Sequence, residues 1–318
     1  MALTPTETSL FFTRQDPEDP RLGDFTSGSA ATNGGAVVQV FGWPDDEGIR
    51  LNGGRPGAAE APDRIRRPLY KMTPSLTTER SVHLWDRGNL NPADQDLGAR
   101  HEEARRLTAE AYRRGDRVLS LGGGHDYGFP DAAGFLDAFA TETVRPVVVN
   151  FDAHLDVRPV KDSFHSGTPF RRLLTAFPDR FDFIEIGLQP QCNSRAHAAW
   201  AKAQGAHLWM ADDVRDEADF HSHLLTWVNR RLGQPLFISL DIDVIQSSEA
   251  PGCSQSWALG LTPVAVQQTI HLLMDHLPTK GLGIYEVSPA LDQDDRTSKL
   301  AALFAHQFIF HDSRGGHR

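Results

Sequence analysis

The stretch Val147-Val148-Val149-Asn150-Phe151-Asp152-Ala153-His154-Leu155-Asp156 changes character halfway along. Its first half is a run of β-branched and apolar residues, the pattern of a strand buried on both faces. Its second half sets an aspartate, a histidine and another aspartate at alternate positions where the chain leaves that strand. Two other segments share the design: Leu119-Ser120-Leu121 runs into Gly122-Gly123-Gly124-His125-Asp126, and Ile238-Ser239-Leu240 runs into Asp241-Ile242-Asp243. Taken singly, an Asp-x-Asp or a Gly-Gly-Gly-His is as readily a solvated turn or a flexible loop. The three together, each behind a buried strand, deliver carboxylates and imidazoles to one rim of a sheet.

Working outward, short apolar runs at residues 37–41, 81–84, 118–121, 147–151, 183–188, 207–210, 236–240 and 283–287 read as strands. Amphipathic stretches at 58–69, 97–114, 129–139, 195–203, 218–232, 263–276 and 298–309 read as helices between them. This β-α alternation runs through the chain without a linker, which predicts a single α/β domain. Eight strands fit a closed βα barrel as well as an open, doubly wound sheet, and both put active residues past the C-terminal strand ends. Residues 15–35 and 42–57, rich in Gly, Asp, Pro and Ser, read as loops, and the N-terminal 1–35 as a loop-rich segment.

Composition narrows the class. A formal net charge of -10 over 318 residues leaves no basic surface on average, so neither nucleic acid nor an anionic membrane is expected as a partner. No apolar run approaches the ~20 residues that span a bilayer. The two cysteines, Cys192 and Cys253, are far apart, which argues against a disulfide framework or a thiolate zinc site and suits a reducing cytoplasm.

Carboxylates and imidazoles without thiolates suit a borderline divalent cation such as manganese. Left alone, the clustered carboxylates repel, and two cations relieve that repulsion. His125, Asp152, His154, Asp156, Asp241 and Asp243 supply the six ligands that two metals need, with Asp152 and Asp241 able to bridge. Such a pair lowers the pKa of a water held between its members. Arg158, two residues after Asp156, leaves the same loop, and its planar fork matches a substrate carboxylate. His221 and His223 lie two apart on a predicted helix and cannot chelate together. Cys253 reads as a packing thiol, and the six tryptophans are too scattered for a stacking platform.

In order and spacing the three motifs resemble the ureohydrolases: arginase, agmatinase and formimidoylglutamase. Four further segments resemble formimidoylglutamase in particular. They are Asp46-Glu47-Gly48 through Asn52-Gly53-Gly54-Arg55-Pro56-Gly57-Ala58, Ser166-Gly167-Thr168-Pro169-Phe170, Ala250-Pro251-Gly252, and Glu286-Val287-Ser288-Pro289 leading to Asp295-Arg296-Thr297. The resemblance implies one ureohydrolase domain over residues 1–318, a three-layer αβα fold around an eight-stranded, mostly parallel open sheet, two Mn2+ ions, and a homotrimer or homohexamer. By the family pattern His125 and Asp156 hold one metal, His154 and Asp243 the other, and Asp152 and Asp241 touch both.

The same pattern puts Glu286 beside the amidine-like nitrogens of the substrate and makes Asp156 the carrier of a proton to the departing nitrogen. Arg55, Ser166 and Gly167 join Arg158 in the substrate site. One departure stands out: arginases and agmatinases place a histidine directly before the glycine that is Gly167 here. This chain has Ser166 there and His165 one residue earlier, which leaves His165 a supporting place in catalysis. The implied reaction cleaves N-formimidoyl-L-glutamate to L-glutamate and formamide, a step of histidine degradation. A ureohydrolase releasing urea from a guanidino substrate, a non-catalytic metal-stabilised scaffold and a two-metal phosphoesterase remain as rivals.

Overall fold

The computed structural model describes residues 3–29, 36–76, 82–92 and 95–311. The apolar runs become eight strands: β1 (Ala36–Gly42), β2 (Val82–Leu90), β3 (Arg117–Leu121), β4 (Val147–Phe151), β5 (Asp182–Leu188), β6 (His207–Met210), β7 (Leu236–Asp241) and β8 (Thr279–Tyr285). They lie side by side in the order β2-β1-β3-β8-β7-β4-β5-β6, every pair parallel. Two-residue strands, Leu3–Thr4 antiparallel and Thr26–Ser27 parallel, add to β2. The sheet is open, so the barrel alternative is set aside.

Strand alternation divides the core between two faces. Val147, Val149 and Phe151 of β4 pack with Ile65, Val266, Leu273 and Phe308, which lie on the helices Ala61–Leu69, Pro263–His276 and Arg296–Phe310. On the other face Val148 joins Leu107, Phe135 and Leu173 of the helices Leu97–Arg113, Gly128–Phe139 and Pro169–Ala176. Each such buried side chain contributes roughly 1.5–3 kcal/mol by leaving water. The result is the three-layer αβα arrangement. No helix among the described residues is long and apolar enough to cross a membrane.

Some local expectations change. The supposed loop at 42–57 contains the helix Glu47–Leu51, and the supposed loop at 15–35 contains a 3-10 turn, Leu22–Phe25, before Thr26–Ser27. Residues 30–35 and Ser81 fall outside the described residues. The helix Pro169–Ala176 was not anticipated; eight residues are too few to display a helical period, although Pro169 at its start is a helix-opening signal. The last strand ends at Tyr285 rather than at residue 287, because Glu286 takes a φ of +64° and turns the chain out of the sheet.

The registers of the four central strands position the site. Ile284 of β8 pairs with Leu121 of β3 and Leu240 of β7, and Leu240 pairs with Phe151 of β4. β3, β8, β7 and β4 therefore end level, and whatever follows each emerges at one place.

Candidate metal centre

Gly122-Gly123-Gly124 is there for close approach. A Cβ at Gly123 would fall 1.8 Å from the Asp45 carbonyl oxygen, so the strand end can lie under the 43–45 segment only without a side chain. His125 then opens a short 3-10 turn. The Asp-x-His and Asp-x-Asp spacings have a common local cause. Asp152 Oδ1 accepts the His154 N–H at 2.7 Å, and Asp241 Oδ1 accepts the Asp243 N–H at 2.9 Å. Each aspartate thus folds the chain so that residues i and i+2 face the same space. Asp156 turns back toward that space with a φ of +47°, a conformation aspartate tolerates better than most residues.

Two groups of ligand atoms result: His125, Asp152, Asp156 and Asp241 in one, and Asp152, His154 and Asp243 in the other, the atoms of each within 4.8 Å of one another. His125 Nδ1 lies 3.0 Å from Asp152, 3.0 Å from Asp156 and 3.1 Å from Asp241, while its Nε2 is 2.9 Å from Ser239 Oγ, which fixes the ring. His154 Nδ1 lies 3.3 Å from Asp152 and 3.0 Å from Asp243. Asp152 belongs to both groups, one oxygen toward each. Asp241 falls in the first group, and its Oδ1 accepts the Asp243 N–H just as Asp152 Oδ1 accepts the His154 N–H, so the two aspartates share one local geometry.

This donor set fits cations. His125 Nδ1 is buried with no aligned hydrogen-bond partner, although three carboxylates converge on it. Burial, then the charge of Asp152, raises the Asp156 pKa; burial with Asp243 and Asp152 raises that of Asp241 well above the usual range. Asp243 is pushed up to about 6, chiefly by burial and against the attraction of His154. Burial disfavours the imidazolium of His125, but Asp152, Asp156 and Asp241 outweigh it and its pKa rises well above normal. Asp152 alone falls: burial raises it, but the close contact and positive charge of His125 and His154 outweigh the burial. Divalent cations would neutralise this crowding.

Glu286 stands between the ligand-bearing strands. Its Oε1 accepts the His125 N–H at 2.9 Å, its own N–H donates to the Gly123 carbonyl at 2.9 Å, and burial pushes its carboxyl up to about 8. His154, Asp156, Asp241, Asp243 and Glu286 line a cleft of about 270 Å³. Asn52, Gly54, Arg158 and Ser166 line it as well, with Cys192, Ser254, Gln255 and Trp257 completing the lining. Arg158 donates to Asn52 Oδ1 at 2.7 Å, and Asn52 Nδ2 donates to Ser166 Oγ at 3.0 Å.

Of the expected residues other than the metal ligands, three do not line the cleft. The Arg55 guanidinium donates instead to the carbonyls of Cys253 and Ser254, at 2.8–3.1 Å, and so anchors the loop that carries Ser254. Gly167 gives its carbonyl to the Arg158 N–H, and a Cβ there would meet Arg158 Cδ at 2.9 Å. His165 Nδ1 accepts the Gly167 N–H at 3.2 Å, which shapes its own turn and leaves Nε2 as the other ring nitrogen. Asn52, Cys192, Ser254, Gln255 and Trp257 were missed as lining residues. Asn52 stands inside a segment already singled out, beside Arg55; nothing local marks Gln255 or Trp257. Cys253 is buried with Sγ toward the Ala250 carbonyl, as a packing thiol would be.

The profile of the Arginase family matches residues 36–311. Formimidoylglutamase of Klebsiella pneumoniae (strain 342) is 33% identical over 275 residues, 85% of this chain and 84% of that one. Formimidoylglutamase of Staphylococcus carnosus (strain TM300) is 30% identical over 276 residues, 86% of each. Among solved structures, Trypanosoma cruzi formiminoglutamase with Mn2+2 superposes with a TM-score of 0.79 at 28% identity, covering 92% of this chain and 98% of that one.

Proposed function

The chain belongs to the arginase family, and from that premise we propose that it hydrolyses N-formimidoyl-L-glutamate to L-glutamate and formamide, using two Mn2+ ions. The observation that carries this reading is Arg158, held by Asn52 in the same cleft as the two ligand groups. A guanidinium there suits a substrate whose far end is a carboxylate and repels the cationic end of agmatine. The formimidoylglutamases at 30–33% identity support the same substrate.

In this reading His125 and Asp156 hold one ion, His154 and Asp243 the other, and Asp152 and Asp241 both. Ions so held supply an acidified water and charge stabilisation for attack at the formimino carbon. Glu286 holds the amidine nitrogens; the cation beside it favours the ionised carboxylate over the protonated form that burial alone gives. Asp156 carries the proton from water to the glutamate nitrogen as the carbon–nitrogen bond breaks, so hydroxyl ends on the formyl carbon and hydrogen on the amine. Ser166 adds a hydroxyl to the carboxylate end, Arg55 and Gly167 hold the walls, and His165 supports the turn. The reading includes a homotrimer or homohexamer and a cytoplasmic enzyme, the latter supported by two free cysteines.

Turnover of the manganese-loaded protein on N-formimidoyl-glutamate, arginine, agmatine and 4-guanidinobutyrate tests it. Formamide and glutamate should form from the first alone, and Arg158→Ala should raise KM about 10- to 100-fold, as expected for losing a charged hydrogen bond. Urea from a guanidino compound would overturn the substrate assignment.

A further inference from the structure

Beneath the rim lies a row of polar side chains that the reaction does not use. Ser239 of β7 pairs in register with Asn150 of β4, and Asn150 with Glu185 of β5. Ser239 and Asn150 each precede a rim aspartate by two residues and so share its face of the sheet. All three are fully buried. Ser239 already has a task in orienting His125. Asn150 Nδ2 faces two carboxylates, Asp152 Oδ2 at 3.3 Å and Glu185 Oε2 at 2.8 Å.

An asparagine amide is nearly symmetric in shape, so packing alone does not choose which end points where. Turned over, it would present a carbonyl oxygen to the Asp152 carboxylate, the side chain common to both ligand groups. The contact with Asp152 is the longer of the two. The shorter one, to Glu185, is the stronger constraint on the amide. Glu185 is otherwise a costly residue: its carboxyl is wholly buried and its Oε1 has no hydrogen-bond partner. Burial, then the charge of Asp152, drives its pKa well above the usual range.

We propose that Glu185 is a positioning residue for the metal centre: by accepting from Asn150 it holds the amide with its NH2 toward Asp152, and so sets which lone pairs of the shared carboxylate are left for the two ions. This rests on the two-metal reading above. It makes the metal affinity of the pair depend on a side chain that touches neither ion and no substrate. It also gives a task to a wholly buried acid whose other oxygen has no hydrogen-bond partner.

Calorimetric titration of the metal-free protein with Mn2+, and electron paramagnetic resonance of the loaded protein, test the inference on wild type, Glu185→Gln, Glu185→Leu and Asn150→Leu. Glu185→Gln can still turn an oxygen to Asn150 and should bind within about threefold of wild type, whereas Glu185→Leu and Asn150→Leu should lose about 10- to 100-fold in affinity for the weaker ion. The two leucine variants should also show a weakened spin-coupled signal from the carboxylate-bridged pair. Circular dichroism of the metal-free forms separates these losses from misfolding. Should a leucine variant fail to fold, Glu185→Gln alone decides, since a loss there overturns the proposal. Glu185→Leu binding like wild type, or Glu185→Gln losing as much as Glu185→Leu, overturns it too. Wild type that binds fewer than two ions sinks the two-metal reading itself, and this inference with it.

Discussion

Two clusters of buried charge sit on the same sheet and are built on opposite terms. Near its β2 end, Arg66 of the helix Ala61–Leu69 forks onto Asp86 with bonds of 2.9 and 3.0 Å. Tyr70, Thr6 and the Gly88 N–H add three more donors to that carboxylate, and Asn89, the Gly88 carbonyl and Asp63 take the remaining guanidinium protons. One buried cation meets one buried anion, with the exposed Asp63 at its outer edge, and their hydrogen bonds are filled. At the central rim, four aspartates and a glutamate face two histidines, and His125 Nδ1 points at three carboxylates with none in line. The first cluster is complete in itself and holds the fold together. The second is incomplete by itself, and what it lacks is positive charge.

That contrast can be broken from either side. The largest effect should come from Arg66→Met, which leaves Asp86 buried and unpaired. Denaturant titration should show a loss of about 3–5 kcal/mol, and a loss below 1 kcal/mol would mean that the cluster is not the closed unit described. Adding Mn2+ should act on the rim alone. At a thousand times Kd it should stabilise wild type by about 4 kcal/mol, and Arg66→Met by the same amount if the two clusters are independent. Without metal, Asp241→Asn removes one of the repelling carboxylates and should raise the melting temperature; a fall would show that the carboxylate has a structural partner.

The smallest effect sharpens the comparison with an intermediate case, Asp131. It accepts from Tyr285 at 2.5 Å and Trp43 at 3.0 Å but has no cation, and burial pushes it up to about 7. The folded protein therefore holds this proton more tightly than the unfolded chain. The stability it adds is complete below the unfolded pKa and lost as pH rises toward 7. The stability of Asp131→Asn relative to wild type should thus grow by about 2–3 kcal/mol between pH 5 and pH 8, measured by denaturant titration. A difference that does not change with pH would contradict the shift.

Legibility followed the range of the interactions involved. β4 and β6 could be bounded to the residue because apolar runs mark them. β2 was cut short because its buried face continues through Asp86 and Gly88, which look like loop residues until Arg66 arrives from another element. The six rim residues could be read as a group because their spacing reflects turns two residues long. The rest of the cleft lining could not. Arg55 meets Ser254 across 199 residues, and only that meeting shows that its guanidinium is already committed to backbone carbonyls. His165 likewise had the right residue type near the right glycine, but its ring nitrogen closes a local turn.

The level ends of β3, β8, β7 and β4 bear on how the molecule comes into being. The His125 N–H reaches Glu286 across 161 residues, and the strands that lead to them, β3 and β8, are neighbours in the sheet but not in the chain. Closing loops of that length comes late and slowly in folding. No fragment ending before β7 carries a complete ligand group, so a nascent chain has no finished site with which to capture an ion. Metal uptake is thus an event of the finished sheet, and its rate after dilution from denaturant reads out when the last central strand docks.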